Sequence, residues 1–126
     1  MKKSVLYSLL LCLPISAFAI NCENPRNTYD AVYCEQKIYQ KADDELNRKY
    51  KQLMAKLDRQ GQQILRSEQR QWIEERDAEC TTTSRDVGEV VNTDCMTRKT
   101  IERTNFLADR YRECVTTGCM NSRLSE

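Results

Sequence analysis

The chain has no histidine among its 126 residues and only three glycines. Without histidine, it has no His-based catalytic triad and no histidine metal site. Three glycines are too few for a glycine-rich phosphate-binding loop. The adjacent carboxylates Asp43–Asp44 and Glu74–Glu75 point in different directions on a helix, so they are poor acid–base partners. The sequence therefore favours a protein that is not an enzyme and uses no cofactor.

The first nineteen residues are typical of a signal peptide. Lys2 and Lys3 precede an apolar run from Val5 to Ile15, and Ala17-Phe18-Ala19 provides a cleavage site. The apolar run is too short to cross a bilayer, which needs about 20 residues. We predict cleavage after Ala19, a single mature domain over residues 20–126, and a periplasmic or secreted location.

The mature chain also has no large excess of positive or negative charge. Cleavage removes Lys2 and Lys3 from the 20 basic residues, which leaves 18 against 19 acidic residues and a net charge of −1. This balance gives no basic surface for nucleic acid and no polybasic patch for a membrane. Asn21 precedes Cys22 where a lipidated cysteine would follow a small residue. We therefore expect no membrane anchor and no nucleic-acid partner.

The mature chain is rich in cysteine for its size. Its six cysteines are Cys22, Cys34, Cys80, Cys95, Cys114 and Cys119. In a small exported protein this number predicts three disulfides. Pairing of sequence neighbours is favoured, because each bond then closes a short loop at the end of a predicted element. Zinc is disfavoured because the chain has no Cys-x-x-Cys spacing, so no metal site is predicted.

Helical spacing dominates the mature chain, and strand-like alternation is missing. From Thr28 to Asp58, apolar residues recur at steps of three and four, which predicts a first helix. Asn27, followed by Asp30 three residues later, is typical of a helix N-terminus, and Gly61 is predicted to break the chain after the helix. The fold class predicted is all-α.

Two further helices complete the prediction. The second runs from about Gln62 to Thr82, and the third carries Val90–Val91 and ends near Cys114. The polar stretch 81–88 is predicted to be a loop. The first two helices are expected to form an antiparallel hairpin that the third closes. The result is a small three-helix bundle stapled by disulfides.

Two charged residues occupy core-facing positions on the predicted helices. Folding the helical hairpin near residue 60 places Asp43 and Arg76 within about one turn of each other. Burying either charge alone would be costly, so we expect the two to pair, with Asn47 and Gln69 as further partners. A structural pair that fixes register is favoured over a ligand-binding pocket.

The neighbouring motif residues receive structural interpretations as well. Trp72 is expected to be the central core residue rather than a ligand platform. Asp77, beside Arg76, is expected to face away towards solvent. Four tyrosines are expected to pack with their hydroxyls at the rim of the core: Tyr29, Tyr33, Tyr39 and Tyr50.

Spaced motifs across the chain form a recognisable pattern. After Cys22 and Cys34 they read Tyr39-x-x-Ala42-Asp43-x-x-Leu46-Asn47, Glu68-Gln69-x-x-Trp72-Ile73-x-x-Arg76-Asp77-x-x-Cys80, and Cys95-Met96 before Thr100-x-x-Arg103. Together they resemble the LprI-like lysozyme-inhibitor domain over about residues 22–107. The resemblance implies a compact helical domain of the bacterial envelope, with Cys22–Cys34 and Cys80–Cys95 disulfides. The tail, with Cys114 and Cys119, departs from the family pattern.

Two functions follow as hypotheses. In the first, the protein blocks a lysozyme through the segment Thr81–Asp94, which a Cys80–Cys95 bond would tether at both ends. Its charged contacts would be Arg85, Asp86 and Glu89, with Arg85 approaching the catalytic carboxylates of a glycosidase. In the second, it is a structural or stress-related protein that binds another envelope partner. An exposed apolar patch on the third helix would favour this second hypothesis.

Overall fold

The computed structural model describes residues 20–125, so the predicted signal peptide lies outside the described residues. Two strands form an antiparallel hairpin between the second and third helices. The elements in chain order are α1 (Thr28–Met54), α2 (Arg59–Cys80), β1 (Thr81–Ser84), β2 (Gly88–Val91), α3 (Thr93–Thr116) and a short 3-10 helix (Asn121–Arg123). The predicted helical class with three main helices is confirmed, and the strand hairpin is an addition to it.

Each long helix begins at a polar side chain that accepts a backbone hydrogen bond. The Asn27 side chain accepts the N–H of Asp30 over 3.0 Å, which confirms the predicted start of α1. Asn92 accepts the N–H of Cys95 over 2.9 Å at the start of α3. Such caps satisfy amide groups that have no partner inside the helix.

The turn between α1 and α2 corrects the prediction for Gly61. Helix α1 ends at Met54 rather than Asp58, and Gly61 lies buried in the first turn of α2. Asp58 caps α2 by accepting the N–H of Gly61 over 2.7 Å. A Cβ at residue 61 would collide with the side chain of Asn121, so glycine here permits the C-terminal tail to pack against α2.

Leucines from the three helices, the α1–α2 turn and the tail form the core. Leu124 is only 1% exposed although it follows the last long helix, so the tail is part of the core. Burying one such side chain contributes about 1.5–3 kcal/mol. The cluster consists of Leu46, Leu53, Leu57, Leu65, Leu107 and Leu124.

The helices pack in a different order from the one predicted. The closest backbone approach is between α1 and α3, whereas α1 and α2 were expected to form the main pair. Small side chains lie where α1 meets α3, since Ala42, Thr104 and Ala108 line one crevice between these helices. The distance between two packed helices depends on the size of the side chains at their contact.

Three disulfides join the predicted sequence neighbours. Cys22–Cys34 and Cys80–Cys95 each have Cα atoms 5.5 Å apart, and Cys114–Cys119 has them 4.0 Å apart. Helix α3 ends at Thr116, ahead of Gly118, which allows Cys119 to turn back on Cys114. The predicted bonding pattern is confirmed.

Candidate functional site

The segment predicted to be a loop forms the β1–β2 hairpin. Thr81 pairs with Val91 and Ser84 pairs with Gly88, so Val90 and Val91 belong to a strand and not to the third helix. β-Branched threonine and valine favour extended backbone, which explains the correction. Gly88 follows the three-residue turn at a φ of 77°, a conformation that other residues rarely adopt.

The base of the hairpin is fixed to two helices. Cys80 is the last residue of α2 and is 2% exposed, and it is bonded to Cys95 in the first turn of α3. The backbone N–H of Asn92 also donates to the carbonyl of Cys80 over 2.8 Å. An isolated two-stranded hairpin is marginal in water, so these cross-links stabilise it and limit its conformations.

The rest of the hairpin projects into solvent. Val87 at the turn is 72% exposed, and Val90 and Val91 on β2 are also exposed. All four residues of β2 are exposed, whereas Thr81 and Ser84 of β1 are half-buried. A rigid element that presents apolar side chains to water is typical of a protein-binding surface.

The structure brings the three predicted contact residues to the outer end of this hairpin. Arg85 and Asp86 lie in the turn, and Glu89 lies opposite Thr83 on the strands. All three are exposed, and within residues 20–125 none of them forms an ion pair. Their charges are therefore available to a partner.

The Asp43–Arg76 pair lies where the sequence predicted it, one turn from the hairpin base. Arg76 is 7% exposed and its Nη1 is 3.9 Å from the Asp43 carboxylate, which is 40% exposed. Asn47 donates to Asp43 over 3.1 Å, as expected. Asp77 is exposed, as expected, but it is not directed away from Arg76, because it accepts a 2.9 Å hydrogen bond from Arg76 Nε. The Arg76 side chain is long enough to bend back to Asp77. The directions in which neighbouring side chains leave a helix did not predict this contact.

A second buried arginine, which the sequence analysis missed as a site residue, changes the interpretation of Gln69 and Trp72. Gln69 accepts a 3.0 Å hydrogen bond from Arg103 Nε instead of joining the Asp43–Arg76 pair. Trp72 is half-buried at the edge of the leucine cluster, with the guanidinium groups of Arg76 and Arg103 at 5.0 and 5.8 Å from its ring. Burial lowers the pKa of Arg103. Trp72 is thus an edge residue between two cations and not the central core residue.

The tyrosines fall into two groups. Tyr50 packs against the leucine cluster, and Tyr39 is half-buried near Arg76, where burial raises the pKa of its hydroxyl. Tyr29 is 88% exposed and Tyr33 is also exposed, so the packing predicted for these two is wrong. They lie on the first turns of α1, on a different side from the buried Asp30 and Cys34.

Within residues 20–125, the structure offers neither a cluster of metal ligands nor a membrane-spanning helix. Within residues 20–125, no group of three or more histidine, cysteine or carboxylate side chains is placed to hold a metal ion. None of the helices in this part of the chain is long and apolar enough to cross a membrane.

Fold and site define a small disulfide-bonded helical protein that presents a rigid hairpin to solvent. The model of the family described as Lysozyme inhibitor LprI matches residues 21–107, which span α1, α2, the hairpin and most of α3. The chain belongs to this family, as its sequence motifs indicated. No curated protein and no solved structure matches the chain.

Proposed function

We propose that the protein inhibits a lysozyme by inserting the turn of the β1–β2 hairpin into the enzyme's cleft. The observation that carries the proposal is a hairpin whose turn and second strand are exposed and whose base is closed by Cys80–Cys95. Membership of a lysozyme-inhibitor family supports the choice of partner. A segment that is already ordered loses less conformational entropy when it binds.

The chemistry of the turn suits the target. A glycosidase cleft contains a pair of catalytic carboxylates, to which an unpaired cation such as Arg85 is attracted. Val87 offers an apolar contact beside it, because its side chain is 72% exposed. Arg85 would pair with a carboxylate, while Asp86 and Glu89 would contact the rim.

The family motif residues hold the hairpin in place in this proposal. Arg76 Nη1 donates to Thr100 Oγ1 over 3.3 Å and so joins α2 to α3 close to the two cysteines. Lys99 and Glu79 add an ion pair between the same helices. Substitution of Arg76 would then lower inhibition through stability rather than through lost contact with the enzyme.

The cellular location follows the same proposal. Cleavage after Ala19 would release a mature chain beginning at Ile20 into the periplasm or the medium. Three disulfides support an oxidising compartment, because such bonds are rare in the cytosol. Lysozyme acts outside the cytoplasm, which agrees with this location.

A second candidate function is binding to another envelope protein, in a structural or stress-related role. Exposed apolar residues favour it, including Ile101 and Val115 on α3. A larger group lies at the start of α1, where Tyr29, Val32 and Tyr33 are exposed. Such a partner would contact α1 and leave the hairpin free.

The experiment is an inhibition assay with the oxidised protein against several lysozyme types. Arg85→Glu should weaken inhibition by about tenfold or more, because it replaces attraction to an acidic cleft by repulsion. Its melting temperature should stay close to that of the wild type, since surface substitutions shift stability by about 0.5 kcal/mol or less.

Arg59→Glu is the matched control. Arg59 is exposed in the first turn of α2, about 30 Å along that helix from Cys80, so its charge reversal should leave inhibition unchanged. Wild-type protein that inhibits no lysozyme would refute the proposal. Inhibition that survives Arg85→Glu would refute the role of the turn.

A further inference from the structure

A groove of about 330 Å³ runs between α1 and α2, away from the hairpin turn. Its volume is at the lower end of the range typical of small-molecule sites. Its walls come from residues about one turn apart on the two helices. They are Asp43, Leu46, Asn47, Tyr50, Arg66, Gln69, Arg70, Ile73 and Arg76.

Two arginines on one wall of this groove have no partner. Arg66 and Arg70 are exposed, and within residues 20–125 neither forms an ion pair or a hydrogen bond. They are four residues apart on α2, a spacing at which like charges destabilise a helix. Some other exposed arginines have a carboxylate partner, as Arg48 has in Glu45 and Arg112 has in Asp109.

The two ends of the groove differ in charge. At the far end Arg76 is already engaged by Asp43 and Asp77, so that end offers little attraction to an anion. Excess positive charge is therefore confined to the end that Arg66 and Arg70 line. Two neighbouring guanidinium groups suit a carboxylate or a phosphate, which accepts several hydrogen bonds at once.

The floor of the groove is apolar. Leu46 is 2% exposed, and Ile73 lies across from it with 39% of its surface exposed. Tyr50 packs against the leucine cluster beneath the same space. A chain of a few methylene groups would cover this surface and remove it from water.

We propose that the α1–α2 groove binds a small amphiphilic acid, with its acidic group between Arg66 and Arg70 and its apolar chain over Leu46 and Ile73. The occupant is a free monomer rather than a lipid in a bilayer, because the groove is concave and holds about one short chain. This site is independent of the proposed lysozyme contact, since Arg85 and the hairpin turn take no part in it.

The test is an NMR titration of the oxidised protein with octyl phosphate and with octanol, which has the same chain but no charge. Octyl phosphate should cause saturable amide shifts confined to residues 43–50 and 66–76. Octanol should bind at least about tenfold more weakly than octyl phosphate, because it lacks the charge-assisted hydrogen bonds.

Variants locate the acid-binding group. Arg66→Gln/Arg70→Gln should weaken octyl phosphate binding by about tenfold or more. Arg98→Gln, at an exposed arginine of α3 outside the groove, should leave it unchanged. A thermal melt of each variant separates lost binding from lost folding.

Three results would overturn the proposal. They are equal binding of octanol and octyl phosphate, shifts centred outside the groove, and full binding by the double arginine variant. Binding to phosphatidylglycerol vesicles without binding to monomeric octyl phosphate would also contradict it. Loss of lysozyme inhibition in Arg85→Glu, with octyl phosphate binding intact, would separate this site from the hairpin.

Discussion

Two buried arginines of the helical body differ sharply in their surroundings from the charged residues of the hairpin. In the body, Arg76 and Arg103 are buried, and each lies against the Trp72 ring and an oxygen acceptor. In the hairpin, Arg85 and Asp86 are exposed and have no ion-pair partner among residues 20–125. The comparison indicates that the buried polar residues hold the helices together, whereas the charges of the hairpin turn are available for the partner contact that we propose.

The largest effect should come from the leucine core. Leu53→Ala removes a fully buried side chain and should lower the free energy of unfolding by about 2–5 kcal/mol, because it leaves a cavity. Val87→Ala in the hairpin is the matched control, and it should change that free energy by about 0.5 kcal/mol or less. Urea unfolding of both variants measures the difference. Similar losses would mean that the hairpin is part of the cooperative core.

The Asp43–Arg76 pair should show an intermediate and unequal effect. Removing one member of a fully buried pair costs about 3–5 kcal/mol, but Asp43 is 40% exposed. Asp43→Ala should therefore cost less than about 1 kcal/mol, since Asp77 still engages Arg76. Arg76→Leu should cost about 1–3 kcal/mol, because the buried Thr100 hydroxyl loses its partner. Equal costs, measured by urea unfolding, would show that the two residues act as a closed pair.

A smaller effect concerns acid stability, to which the Asp58 cap of α2 contributes. The N–H of Gly61, together with the Asn121 amide, lowers the pKa of Asp58. A carboxylate with a lowered folded-state pKa stabilises the fold above its unfolded pKa of about 4, and this stability is lost as the pH falls through the folded value.

Asp58→Asn should flatten this pH dependence, because asparagine still caps a helix but does not titrate. Thermal melts of this variant and the wild type between about pH 3 and pH 6, the range over which carboxylates titrate, measure the effect. An unchanged pH profile in Asp58→Asn would refute the role of this cap.

The sequence correctly predicted those features of the structure that depend on a single local rule. Asn27 and Asp30 predicted the start of α1, and the cysteine spacing predicted the three bonds. Arg76 was placed correctly against Asp43 because helical rise converts residue number into distance. Each of these features depends either on residues that are close in sequence or on the regular rise of a helix.

Other features depend on competition between patterns or on tertiary contact. The threonines before Arg85 and the valines after Gly88 fit a hairpin with a glycine at the turn, but the polar stretch was assigned to a loop and the valines to the third helix. The packing of α1 on α3 depends on small side chains such as Ala108, whose effect appears only when two helices meet. Leu124 follows every predicted helix, and no periodicity places it in the core.

The candidate site could be predicted only in part. Sequence reasoning selected Arg85, Asp86 and Glu89 because a disulfide would tether their segment, and the structure gives that segment strand pairing and exposure. Arg103 was missed as a site residue because a charged residue on a helix is usually solvated. The signal available was its place four residues before Leu107, on the buried face of α3.

Hydrogen–deuterium exchange of the oxidised protein, with and without lysozyme, tests most directly whether the hairpin is the contact surface and the helices its support. We expect slower exchange in Thr81–Val91 when lysozyme is present, with exchange in α1 unchanged. Slower exchange on α1 with an unaffected hairpin would contradict it, and so would an unchanged pattern at concentrations where the enzyme is inhibited.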